Sequence, residues 1–414
     1  MKLKRILVIS LFCFCLQADE FMESTTTVGG YGELHYDIEA NDGDGKLDFH
    51  RFILYFKHNF NENWSLMSEI EIEHNMVYSE GDGGYLAMEQ AYLNYWNGNW
   101  GFQGGVLLVP AGIINEHHEP PTFMSVERPE YNKYIIPTTW FDNGFAFYGK
   151  MGDFNWKYSM TGDLDGDAIG DGIRSARLKG VYSKTSSWTK TIQGSWTGLD
   201  GLKIGGSMTT NDAPVSAVSE GWEYTTINVA PTCSGGDAWG DVSWTDEESC
   251  IAGPDGDADA TDDNENWEDA TTSTTAEWIE SSPATTIGVN LTEFNATYSK
   301  NNVYVRMEHG SIDYTDNSAA ESSSGYYLDL GYNIADMVGC DNDLYLWTRT
   351  SSYSKDDDDE HTDNDISLFG VTYKPSNNIS IKFEMGSKNY WKKTDDVWAE
   401  KDDDIMRLGL GYMF

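Results

Sequence analysis

Four residues in a row, Glu116, His117, His118 and Glu119, carry the ligand types that hold metal ions. Neighbouring side chains of an extended chain point to opposite sides, so the run is not expected to close around one ion. Its polarity suits the lining of a narrow passage better. Two aspartate-rich stretches match a cation more closely: "DLDGDAIGDG", which begins at Asp163 and includes Asp165 and Asp167, and the ladder Asp255, Asp257 and Asp259. Flexible, oxygen-rich loops suit calcium, although neither stretch has the full twelve-residue pattern with glycine at six and glutamate at twelve. No other cofactor is expected. Cys233 and Cys250, 17 positions apart, are candidates for a disulfide in an oxidising compartment. Closing that loop would contribute roughly 3 kcal/mol on the chain-entropy account. Cys340 has no evident partner. Serine, histidine and aspartate all occur, but without a nucleophile elbow or other hydrolase pattern, so no catalysis is expected.

The chain that must position these groups has 414 residues, 68 Asp and Glu against 27 Lys and Arg, and a formal net charge of −41. Low apolar content with such acidity usually marks a disordered chain. Yet 14% of the residues are aromatic, with 15 Trp and 24 Tyr, and disordered segments are poor in them. Nucleic acid is not an expected partner, because phosphate binding needs a basic footprint. Lys2, Lys4 and Arg5, the apolar stretch Ile6 to Leu16 and the small Ala18 read as a secretory signal peptide over residues 1–18. Beyond it no run approaches the ~18 apolar residues of a transmembrane helix. Such a chain is either soluble outside the inner membrane or crosses the outer membrane as a closed barrel, whose alternating strands leave the average hydropathy polar.

Alternation is legible in several places. "WSLMSEIEIEH" puts Trp64, Leu66, Ile70 and Ile72 on one face and Glu69, Glu71 and Glu73 on the other. "VYVRMEHG" and "ISIKFEMG" behave in the same way. A soluble sandwich would alternate too; the connections discriminate. Short turns at 61–63, 97–99, 300–302 and 376–378 alternate with longer acidic connections, as in transmembrane barrels. Strands are placed near 28–38, 47–59, 64–75, 85–96, 99–109, 139–150, 154–163 and 173–183. The second half gives 202–210, 285–300, 303–314, 325–335, 343–354, 365–374, 379–391 and 403–414. The stretch 184–201 is ambiguous, and a phase switch in "GVNLTEFNATY" predicts a bulge near Thr292–Glu293. The last strand, "MRLGLGYMF", alternates up to a terminal Phe414, which looks like the signature read by the barrel assembly machinery. The expected fold class is therefore all-β, a transmembrane antiparallel β-barrel of about 16 strands over residues 19–414, in a bacterial outer membrane.

Alternation turns Arg51, Lys57, Arg177, Lys179, Arg306, Arg349, Lys382 and Arg407 toward the lumen, with Glu33, Glu69, Glu71, Glu73, Glu89, Glu308 and Glu384. These pore-lining candidates nearly balance in charge. The acidic excess falls in loops, above all in a long extracellular one at about 211–286, which holds 18 Asp or Glu and no Lys or Arg. A negative mouth concentrates cations, less so at high salt.

The connection at about 110–139 differs from the others. It holds five of the chain's ten prolines, which stiffen a backbone. Between them lie Glu116, His117, His118, Glu119, Arg128, Glu130 and Lys133, the candidates for a loop folded into the lumen as a constriction. Its sequence "NEHHEPPTFMSVERPEYNKYIIPTTWFDNGFAFYG", preceded by "GGVLLVPAG", resembles the phosphate-selective porin family and its wider outer-membrane porin relatives. "GGYGELHYD" and "LDFHRFILYFKHNFNENWSLMSEIEIEH" are similar too, so the resemblance is strongest over residues 28–150. It implies a sixteen-stranded porin, usually a homotrimer, with a lumen-folded loop after the fifth strand. It also implies inward basic groups, for which Arg51, Arg128, Lys133, Arg306 and Arg349 are the matching positions; a dense basic ladder is not present.

The expected function is passive diffusion of small hydrophilic solutes and ions across outer-membrane lipid, with a mild cation preference from the acidic mouth. Two alternatives stand beside it: an anion- or phosphate-selective porin, and a surface-binding barrel whose acidic loops bind calcium.

Overall fold

Period-two alternation requires an extended chain with two chemically different faces, and the chain closes that surface on itself. The computed structural model describes residues 24–38, 45–74, 86–170, 172–217, 281–394 and 397–414, with the backbone of 221–229, 232–234, 266–268 and 271–279. The first nine strands are β1 (Thr25–Asp37), β2 (Lys46–Asn59), β3 (Trp64–Glu73), β4 (Leu86–Trp96), β5 (Trp100–Leu108), β6 (Phe141–Met151), β7 (Phe154–Thr161), β8 (Thr189–Leu199) and β9 (Leu202–Val215). Four more, β10 (Gly221–Val229), β11 (Thr232–Ser234), β12 (Asn266–Glu268) and β13 (Thr271–Ile279), lie in the acidic segment. The last seven are β14 (Thr285–Lys300), β15 (Val303–Thr315), β16 (Ser322–Asn333), β17 (Asp343–Ser354), β18 (Asn364–Ser376), β19 (Ile379–Thr394) and β20 (Val397–Met413).

Strands β1–β9 and β14–β20 form one closed antiparallel barrel of sixteen. Closure is made by β20 against β1, with Tyr31 opposite Met413 and Asp37 opposite Arg407. A closed sheet leaves no unpaired edge, the condition for spanning hydrocarbon with strands. Residues 216–285 form a separate unit in which β10 pairs with β13 and β11 with β12. Short turns join β2 to β3, β4 to β5, β6 to β7, β8 to β9, β14 to β15 and β18 to β19 at one end. Asn301 and Asn302 both take positive φ, 53° and 65°, the backbone that a two-residue hairpin needs.

The faces are inverted relative to a soluble protein. On β18 and β19, Phe369 and Ile381 are exposed on the outside, while Thr372, Ser380, Lys382 and Glu384 are buried inside. Phe60, Trp64, Trp100, Phe154, Trp196, Tyr332 and Phe414 are exposed at the short-turn end, an arrangement that matches an aromatic girdle at a membrane interface. Phe369 is 55% exposed near the middle of its strand. Phe369→Arg is therefore expected to lower folding stability in phospholipid vesicles by about 2–4 kcal/mol. Urea titration of the vesicle-embedded protein measures this, and an exposed phenylalanine in water would give almost no loss.

Two expectations are corrected. Residues 173–183 are not a strand; the strand there is β8, inside the stretch that was ambiguous. In "GIRSARLKGVY" neither parity is apolar, whereas β8 sets Ile192 and Trp196 outward and Thr189 and Thr191 inward. Ile173 and Ala176 instead bury themselves in an internal apolar cluster. Arg177 and Lys179 thus belong to a connection and not to the wall. Nor is there a bulge at Thr292–Glu293: β14 pairs with β15 in unbroken register from Gly288 to Lys300. The inward face simply changes chemistry along the strand, from Ile287, Val289 and Leu291 to Glu293 and Asn295. Residues 1–18, Cys250, Asp255, Asp257, Asp259 and the side chain of Cys233 lie outside the described residues. Cys340 is a free thiol.

Candidate functional site

The connection between β5 and β6 returns into the barrel. It holds two single-turn helices, α1 (Ile113–Glu116) and α2 (Tyr131–Tyr134), with a 3₁₀ turn at Pro120–Thr122 between them. Asn115 closes its base: Nδ2 donates to the Val109 and Trp140 carbonyls at 2.8 and 3.1 Å, and Oδ1 accepts from Trp140 N–H at 2.8 Å. From there the loop lies on the inward face of β15–β20. Apolar contacts hold one side, where Ile114, Met124, Tyr131, Ile135 and Ile136 pack with Leu291, Ile312, Tyr327, Trp347 and Leu368.

Polar wall residues fasten the rest. Buried Glu308 accepts from Ile113 N–H at 2.9 Å, Asn132 Nδ2 at 3.1 Å and the Tyr327 hydroxyl at 3.3 Å. Lys382 donates to the Pro120 and Ser125 carbonyls, both at 2.7 Å, and Glu384 accepts from Val126 N–H at 2.7 Å. Thr372 reaches the Met124 carbonyl at 2.5 Å and Lys374 the Pro121 carbonyl at 2.9 Å. Gly409 and Gly411 make room for this approach, since a Cβ on either would collide with Val126 or Pro120. A polar wall group under a buried loop must be hydrogen-bonded or it destabilises the fold. Here the loop's own backbone supplies the partners. Glu308, Lys382 and Glu384 are therefore beneath the loop rather than facing open water.

The other site residues distribute around it. Arg51 pairs with Glu33 at 2.6 Å and Glu71 at 3.2 Å. Arg349 makes a bidentate pair with Asp329 at 2.6 and 2.8 Å and touches the Glu127 carbonyl at 3.3 Å. Arg407 meets Glu384 at 3.2 Å, and buried Arg306 lies near Asp329 and Glu308. Arg177 donates to the Thr138 and Thr139 carbonyls at 2.6 and 3.1 Å, and Lys179 sits over the Phe141 ring. Glu130 accepts from Lys388 at 2.6 Å and Tyr353 at 3.0 Å. The Glu119 carbonyl accepts from Thr122 N–H at 2.9 Å, and Lys57 is exposed near the short-turn end. Asn115, Thr372, Lys374, Lys388 and Asp329 were not singled out from the sequence; each is recognisable only once the strands are in register.

Two cavities of 470 Å³ each adjoin the loop. The first is lined by Arg51, Arg128, Lys133, Arg174, Arg349 and Arg407 against Glu73, Glu127 and Glu130. The second, toward the short turns, has Lys150, Lys157 and Lys203 against Glu116, with His117 beside them. Both are locally basic in a strongly acidic chain.

Burial would raise the Glu116 carboxyl, but Lys157 at 3.4 Å and the Gln193 amide at 2.5 Å outweigh it and hold the group below the usual carboxylate range. Burial pushes His117 down from its ordinary value, so it is neutral at pH 7. A lowered carboxylate stabilises the loop above its ordinary titration near about pH 4.3, and that contribution is lost as pH falls through the lowered value. Open-channel current noise is expected to stay flat from about pH 8 to 5 and to rise below about pH 4. Noise that rose near pH 6 instead would show that Glu116 does not hold the loop.

Among the described residues, the calcium candidates Asp163, Asp165 and Asp167 do not converge. Asp163 accepts from the Ser186 and Ser187 amides and Asn211 at 2.5, 3.2 and 3.0 Å, and Asp165 pairs with Lys184 at 3.3 Å. Among the described residues the groups with converging ligand atoms are Asp48–His50–His74 and Glu69–Glu89–His118; Asp163, Asp165 and Asp167 form no such group.

No protein-family model matches the chain. An uncharacterised protein of Aquifex aeolicus is 28% identical over 397 residues, covering 94% of this chain and 80% of that protein. Among solved structures, an anion-selective porin from Comamonas acidovorans superposes with a TM-score of 0.54 at 9% identity, covering 95% of this chain and all of that one. Salmonella typhi OmpF gives 0.54 at 11% identity, covering 94% and 97% of the two chains. The outer membrane channel DcaP of Acinetobacter baumannii gives 0.52 at 13% identity, covering 96% of this chain and all of DcaP. At such identities the likeness is one of fold: a porin-like barrel.

Proposed function

We propose that the chain is a diffusion channel of the bacterial outer membrane for small hydrophilic solutes, with a preference for anions set beside the lumenal loop. One observation carries the preference: three Lys face one Glu in the second cavity, while in the first Arg128, Lys133 and Arg174 stand beside Arg51, Arg349 and Arg407, whose charge wall acids already offset. Charge within a narrow, low-dielectric passage acts on a permeating ion more strongly than charge in a solvated loop. The wall acids are engaged: Glu33 and Glu71 with Arg51, and Glu308 and Glu384 with the loop. A homotrimer completes the reading, supported by the trimer form of Vibrio cholerae OmpT, which superposes at a TM-score of 0.50 and 10% identity. The test is the reversal potential of the refolded protein in a planar bilayer across a KCl gradient, repeated with inorganic phosphate. An anion-directed potential is expected, and phosphate block would narrow the solute class. A cation-directed potential would return the mouth acids to control, and absence of conductance from folded protein would end the channel reading.

A further inference from the structure

Glu69 on β3, Glu89 on β4 and His118 in the lumenal loop meet at one buried point. They are 0%, 0% and 2% exposed, and their ligand atoms lie within 4.8 Å of one another. His118 Nε2 stands 3.7 Å from Glu69 Oε1 and 3.7 Å from Glu89 Oε2. That spacing is too long for a hydrogen bond. His118 Nε2 and Glu69 Oε1 have no hydrogen-bond partner, and the Glu89 carboxyl meets only that of Glu71, another acid. Buried carboxylate oxygens without a donor are strongly destabilising unless a cation or a proton meets them. Of the fixed cations nearby, Arg51 is already held by Glu33 and Glu71, and Arg128 donates to the His118 carbonyl at 3.3 Å.

Three local features aim these atoms at each other. The β3–β4 register slips between Glu69/Gln90 and Ile70/Met88, which leaves Glu89 as the extra residue of a bulge. Bulges re-aim side chains; this one turns both Glu89 and Gln90 inward, and Gln90 Nε2 donates to Glu69 Oε2 at 2.5 Å. On the loop, His118 Nδ1 lies 3.2 Å from the Asn115 carbonyl. A proton on Nδ1 leaves the Nε2 lone pair facing the two glutamates, the outer hydrogen bond typical of ligating histidines.

We propose that Glu69, Glu89 and His118 form a binding site for one divalent transition-metal ion, zinc being the best fit, which clips the lumenal loop to the barrel wall. Ligand atoms about 2.1 Å from a tetrahedral ion stand about 3.4 Å apart, so the observed 3.7 Å needs only a small inward movement. One imidazole and two carboxylates are a donor set of zinc, and a fourth position stays free. The second cluster is different in kind. Asp48 already bridges His50 and His74 at 3.0 and 2.8 Å, so its polar atoms are satisfied without an ion.

Cobalt(II) tests the site in the full-length protein, folded in detergent and stripped with EDTA. The expected result is uptake of one cobalt per barrel, with the intense visible bands of a four-coordinate ion, displaced by zinc. Glu89→Gln removes a buried charge and should keep the heat-modifiable gel mobility of a folded barrel. It and His118→Gln, a loop substitution, should each weaken binding at least tenfold, while His74→Gln leaves binding unchanged. The proposal is overturned if the wild type gives only weak octahedral bands that no variant alters, as surface acids would. Binding that survives Glu89→Gln and His118→Gln, or is lost in His74→Gln, overturns it equally.

Discussion

Glu308→Ala is expected to raise single-channel conductance several-fold and to make the open current noisy, while the barrel stays folded. The Glu308 carboxylate accepts from the first helical turn of the loop at Ile113, from α2 at Asn132 and from the wall at Tyr327. Truncation leaves three donors without their acceptor, each costing about 1–3 kcal/mol when buried without a partner. The loss falls on the loop and not on the wall, because the β14–β15 and β15–β16 ladders are backbone-paired along their length. A loop freed at both helices can swing within the lumen and widen the passage. Glu308→Gln keeps one acceptor and should fall between wild type and alanine. Measurement is by single-channel recording, with heat-modifiable gel mobility as the check on folding. If alanine leaves conductance and noise unchanged, the apolar contacts of Ile135 and Ile136 hold the loop without Glu308.

The contrast between wall and loop explains what the sequence could reveal. In β19 and β20 the outer parity must be apolar to meet lipid, so Ile379, Ile381, Leu408 and Leu410 mark their strands plainly. The stretch 173–183 has polar groups on both parities because it is a connection, with Ile173 and Ala176 buried in the internal cluster and Val181 and Tyr182 exposed; only its neighbour β8 carries an outward apolar row. In β14 the same logic misled, since Val289 and Leu291 face inward against the apolar cluster and mimic a change of register. Inward direction was legible for Arg349 and Lys382, but their partners were not. Lys382 meets carbonyls at Pro120 and Ser125, 262 and 257 positions away, and no local pattern encodes a contact with backbone oxygen. The Glu69–Glu89–His118 group escaped for a similar reason: the bulge that aims Glu89 is set by strand pairing, and adjacent His117 and His118 drew attention to each other instead of to the wall.

The second large effect concerns charge. Arg128→Glu with Lys133→Glu is expected to reverse the sign of the reversal potential in a KCl gradient. Both residues line the first cavity, and Lys133 rests over the Tyr134 ring in an element that is not part of the wall. The substitutions take that lining from six basic and three acidic groups to four and five. A change of sign inside a confined passage alters the local ion concentrations, and confinement shields it from bulk salt less than an exposed mouth is shielded. The sign should therefore stay reversed as KCl is raised toward 1 M, where the Debye length is about 3 Å, although the potential itself shrinks. Selectivity governed by the acidic loops would behave in the opposite way. The wild type would then be cation-selective at low salt and lose that preference steeply with added KCl, and the double substitution would shift it little. Recording both proteins across the same salt series separates the two, because only a filter beside the loop changes sign with two loop residues.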